Sequence, residues 1–177
     1  MTTDTDLALT TALLRDGFGR IHEDLAHVIE GLSTEELRWR PDAASNPVGW
    51  LVWHLSRQQD DQLAALAGTD PVWRSAGWAD RFALPYPPGA HGYGMSAEEV
   101  GALAVEDPAL LTGYHDDVHD LTLRLIEDLT AERLGEVVDT SWDPPVTVAV
   151  RVYSVLEDAA KHLGQAEYVR GLLLRRR

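Results

Sequence analysis

Three side chains in this sequence are of types that hold a divalent cation: His54 in WLVWHLSRQQDD, and Asp158 and His162 in VLEDAAKHLGQAEYVRG. On a helix turning about 100° per residue, His162 lies about 40° from Asp158, on the arc that also carries Val155, Ala159, Ala166 and Val169. A carboxylate buried without a partner is costly, so an aspartate on an apolar arc needs a reason. Spacing of i, i+4 brings the two side chains within reach of one common atom. The helix face around His54 mixes Trp50, Leu51 and Ala65 with the polar Gln58 and Asp61. If the two faces meet, two imidazoles and one carboxylate converge. That is a three-ligand set with positions left open, as in catalytic divalent-metal sites and unlike closed structural ones. Spacing alone leaves an alternative, in which Asp158 and His162 pair with each other or with an arginine and His54 is a core histidine.

Other residues carry weaker signals. His115 and His119 in YHDDVHD are also four apart, but three aspartates surround them, which predicts a solvated helix edge. His22, His27 and His91 have no matching partner nearby in sequence. Asp60, Asp61 and Gln62 read as a solvated face, although Asp61 is a candidate acceptor to orient His54. Arg170 falls off the ligand arc. There is no phosphate-cradling glycine loop and no nucleophile elbow. The six tryptophans read as core and loop anchors.

The elements that must position these residues follow from apolar spacing. Leu14, Phe18, Ile21, Leu25, Val28 and Leu32 alternate by threes and fours, predicting a first helix from about Asp6 to Gly31. STEE at 33–36 is a capping box for a short turn that Pro41 ends. Asn46 is the expected N-cap of a second helix, with Pro47 at its first position and Gly68 at its end. From Gly68 to Ser96 the density of glycine and proline predicts an ordered crossover loop, pinned by Trp73, Trp78 and Phe82. Leu111, Tyr114, Val118, Leu121 and Leu125 mark a third long helix ending near Leu129. A short extended excursion around a double proline follows, and a fourth helix begins at about Val148, its terminal arginines suiting the negative end of the helix dipole. Four long helices with one long crossover predict an all-α four-helix bundle, a single domain over residues 1–177.

Composition narrows the chemistry. With 15 Lys+Arg against 29 Asp+Glu the net charge is -14, which repels nucleic acid and anionic membranes. With no signal-like or membrane-spanning stretch, a cytoplasmic protein is expected. The chain has no cysteine, so any thiol chemistry uses a thiol brought by a ligand.

The segments NPVGWLVWHLSRQQDD, GYGMSAEEV and WDPPVTVAVRVYSVLEDAAKHLGQAEYVRG together resemble the DinB-like superfamily, and within it the actinobacterial mycothiol S-transferase-like branch; the likeness covers nearly the whole chain. The resemblance implies an up-down-down-up bundle, a homodimer, and a divalent metal, zinc or nickel, held by His54, Asp158 and His162. Trp50, Gln58, Asp61 and Gln165 would be pocket or supporting neighbours. The implied activity is metal-dependent transfer of a small thiol such as mycothiol to an electrophile. The alternative on the same fold is a non-catalytic metal- or ligand-binding stress protein. Asp158 departs from the pattern, since relatives more often carry glutamate or histidine there.

Overall fold

The computed structural model describes residues 4–176 of the 177. Its elements in chain order are α1 (Asp4–Ile29), α2 (Thr34–Leu37), α3 (Val48–Ala67), α4 (Val72–Ser75), α5 (Trp78–Phe82), α6 (Ala97–Ala102), α7 (Ala109–Glu127), α8 (Ala131–Gly135), β1 (Val137–Asp139), β2 (Val146–Thr147) and α9 (Val148–Leu174). The long helices α1, α3, α7 and α9 form the bundle, and each packs mainly on two of the others, with α1 and α3 on one diagonal.

Cross-helix contacts give the directions. Arg15 pairs with Glu127 and His22 with Asp116, so α1 and α7 run antiparallel. Gly17 packs on Leu156 while Arg170 reaches the carbonyls of Val28 and Glu30, so α1 and α9 run parallel. Ser56 meets His115 and Gln59 meets Thr122, so α3 and α7 are parallel, whereas Arg151 meets Gln62 and His54 meets His162, making α3 and α9 antiparallel. The order is therefore up, down, down, up, as the resemblance implied, with the crossover between α3 and α7.

The predicted apolar stripes face the core: Phe18, Ile21, Leu25, Leu111, Val118 and Val155 are all buried, each such side chain contributing about 1.5–3 kcal/mol. Local signals hold in part. Ser33 and Glu36 form the expected capping box. At the start of α3 the cap is Pro47 itself, with no side-chain cap, so Asn46 is one residue too early to cap this helix. The Gly68 stop is a left-handed C-cap with φ 69°. Arg175 caps the end of α9, and Arg177 of the expected terminal arginine run lies outside the described residues.

The crossover holds three short helices, and Trp73, Trp78 and Phe82 are buried as its pins. Its entry is fastened by Asp60, which is wholly buried and accepts from the backbone N–H of Val72 and Trp73 and from the Tyr114 hydroxyl. Asp60 is thus an internal cap for α4 and not part of a solvated face. Trp142, by contrast, is exposed on the β1–β2 excursion and anchors nothing in the core.

Candidate metal centre

His54 leaves α3 toward α9, and Asp158 and His162 leave α9 one turn apart toward α3. The rings of His54 and His162 meet edge to face, with centroids 4.6 Å apart and planes at 78°. Asp158 Oδ1 stands 3.6 Å from His162 Nε2. One donor atom from each of the three residues lies within 4.8 Å of the others, and among the described residues this is the one group of three or more with that property.

The Nδ1 atoms of both imidazoles are already engaged. His54 Nδ1 is 2.5 Å from the backbone carbonyl of His91, and His162 Nδ1 is 2.9 Å from Gln165 Oε1. A carbonyl oxygen accepts, so each ring donates its Nδ1–H and keeps the Nε2 lone pair free. That division is the one a histidine ligand needs, because the second-atom hydrogen bond fixes both tautomer and ring angle. Burial is the largest influence on His54 and lowers its pKa, ahead of the His91 carbonyl, which raises it. His54 is therefore held neutral, as a nitrogen donor must be.

Trp50 stacks on His54, with centroids 4.6 Å apart and planes at 17°. Gly92, at φ 99°, lies against the same ring, and a Cβ there would overlap His54 Nδ1 and touch the Trp50 indole. The loop thus needs glycine for both its backbone angle and its clearance. The HGYG run at 91–94 carried that signal, but nothing in it says that the carbonyl before the glycine is the acceptor for His54.

Three expectations need correcting. Asp61 does not orient His54; it forks onto Arg57 at 2.9 and 3.1 Å, and the carbonyl of His91 fills the expected role. Asp158 is not a buried charge: its side chain is 44% exposed against 19% for His162, so it sits at the rim, where an ionised carboxylate keeps much of its hydration. His115 and His119 are not a solvated edge. His115 is wholly buried, and His22 stacks on His119 at 4.4 Å and on His115 at 5.8 Å.

Beside the triad, toward the C-terminal end of α3, lies a cavity of about 640 Å³ lined by Gln58, Asp61, Gln62 and His91 among others. The donor set itself is not part of its lining. His91 connects the two, since its carbonyl holds His54 while the residue lines the cavity.

No described helix is long and apolar enough to cross a membrane. No curated protein matches the chain. A solved structure described as the conserved protein of locus from Enterococcus faecalis is 34% identical, with a TM-score of 0.88, covering 93% of this chain and 96% of that one. The profile of the DinB superfamily matches residues 18–166. An all-α bundle in this connectivity, a match over most of its length and a near-complete structural counterpart agree, and the chain belongs to the DinB superfamily.

Proposed function

We propose that the protein is a divalent-metal-dependent thiol S-transferase, acting on a small thiol such as mycothiol and a small electrophile. The observation that carries the metal half is the pairing of committed Nδ1 atoms with free Nε2 atoms on His54 and His162, converging with a rim carboxylate. Two nitrogens and one oxygen suit zinc or nickel better than a hard, all-oxygen cation. A cation held there would supply a Lewis acid that lowers a thiol's pKa toward neutrality.

The chain's own residues do the rest. His54, neutral and desolvated, gives a lone pair without first losing a proton. Trp50 packs flat on its face and excludes water from that side. Asp158, at the rim, leaves the solvent side open to an incoming ligand and offsets positive charge. The reacting thiol must come from outside, because the chain has no cysteine. Zinc- and nickel-loaded protein should turn over mycothiol with a model electrophile, and His54→Ala should abolish both metal retention and turnover. Unchanged turnover in that variant would sink the assignment. Stoichiometric metal with no thiol binding would instead make this a non-catalytic metal-binding protein on the same fold.

A further inference from the structure

We propose that the cavity between α3 and α9 receives the non-reacting tail of the ligand whose other end reaches the triad, and that Arg151 is its remote binding residue; this rests on the metal-and-thiol reading above. The cavity runs away from the triad along α3 and meets α9 at its far end. On α3 it passes Gln58 and Gln62, the first and second turns beyond His54, and on α9 it reaches Arg151, seven residues before Asp158. Seven helical residues span about 10 Å, so a ligand touching both ends is elongated.

The far end is built of held cations. Arg151 donates Nη1 to Gln62 Oε1 at 2.7 Å and Nη2 to Asp139 Oδ2 at 3.0 Å. Arg133 donates Nη2 to the Leu66 carbonyl at 2.8 Å and pairs with Glu136. A guanidinium has five N–H donors, so each arginine is fixed in orientation with donors to spare. Two tethered guanidiniums line the cavity while its own carboxylate, Asp61, is taken by Arg57, so the lining favours oxygen acceptors on a ligand. A plain hydrocarbon tail would strip water from Gln58, Gln62 and both arginines without replacing it. The ligand class is therefore an extended thiol with an oxygen-rich tail, bearing either hydroxyls or a carboxylate. Val138 of β1 closes this end, which gives the β1–β2 excursion a place in the site.

The test uses cobalt-loaded full-length protein, with thiol binding followed by the thiolate-to-cobalt absorption band. Three probes are titrated: 2-mercaptoethanol, which has no tail, glutathione, with a carboxylate tail, and mycothiol, with a hydroxyl-rich one. Arg151→Met should weaken at least one long-tailed thiol tenfold or more and leave 2-mercaptoethanol and cobalt affinity unchanged. The thiol that loses affinity identifies the tail chemistry. Asp139→Asn removes the ion pair but keeps Arg151, so it should leave long-thiol affinity within about threefold. Equal losses in the two variants would mean that Arg151 only ties down the β1–β2 excursion, and would overturn the inference. Equal affinity of wild type and Arg151→Met for every thiol would overturn it while leaving the metal-and-thiol reading intact. No thiol band in the wild type would overturn both.

Discussion

Between α3 and α9 two imidazoles meet edge to face beside a rim carboxylate, while between α1 and α7 the His22 ring stacks on both His115 and His119, its plane within 20° of each. Both seams carry residues at i, i+4: Asp158 and His162 in one, His115 and His119 in the other. In the first, each Nδ1 is bound and the remaining donors converge. In the second, His22 Nε2 is spent on Asp116 at 2.8 Å, and stacked rings present their faces, which carry no lone pair, to each other. Ser56 donates its one hydroxyl proton to the Val52 carbonyl, so His115 must donate Nδ1–H to Ser56 Oγ. That leaves His115 Nε2 as a bare acceptor with no partner among the described residues. Spacing puts two groups on one face; ring orientation and the partner of the second nitrogen decide whether they make a ligand set or a packing element.

The contrast breaks most sharply under alanine substitution. His54→Ala should reduce bound zinc or nickel from stoichiometric to background by elemental analysis, with a small effect on metal-free unfolding. His115→Ala should leave metal content unchanged and cost about 2–4 kcal/mol in urea unfolding, since it empties a fully packed site. If His115→Ala strips the metal, the two seams are not separate.

A smaller effect is expected from Gly92→Ala, which removes none of the three ligand side chains. A methyl there displaces His54 or the His91 carbonyl, and loss of such support lowers metal affinity about 10–100-fold, measurable by competition with a chelating dye. Wild-type affinity in that variant would show that the carbonyl does not orient His54.

Acid titration sharpens the other seam. Burial, followed by the neighbouring His22 and His119, pushes the His115 pKa down from 6.5 to about 3. The unfolded chain therefore takes up this proton first. The neutral ring's share of stability is complete above about pH 6.5 and is lost as the pH falls toward 3, with a limiting slope of about 1.4 kcal/mol per pH unit for one proton. His115→Gln keeps an N–H for Ser56 but cannot titrate, so its metal-free stability should fall less steeply across that window. Parallel profiles would exclude His115 as the source.

Gln165→Ala should have the least effect. Gln165 is exposed, so water can replace its oxygen at His162 Nδ1, and metal affinity should drop only a few-fold.

The bundle was legible in the sequence because Leu14 to Leu32 and Leu111 to Leu125 repeat apolar side chains at one helical period, and burial follows that repeat. The convergence of His54 with Asp158 and His162 was legible for a related reason: wheel angles put each on an inward arc, and the resemblance joined the two helices. His115 was misread because the aspartates around it occupy other angles of the same helix. Asp116 and Asp120 turn outward while His115 turns toward Ser56, so sequence neighbours are poor witnesses of burial. The role of His91 was invisible because its backbone carbonyl supplies the contact, and every residue has one.

Asp60 has a further consequence. It and His54 stand on the same helix, six residues apart, and Asp60 grips the first N–H groups of α4 from inside the core. The start of the crossover and the helix bearing His54 are therefore mechanically one piece. Lengthening or reshaping the chain between Phe82 and His91 alters a wall of the neighbouring cavities while α3 stays in place. The shape of those cavities can thus change with the loop, so long as the His91 carbonyl that holds His54 keeps its place.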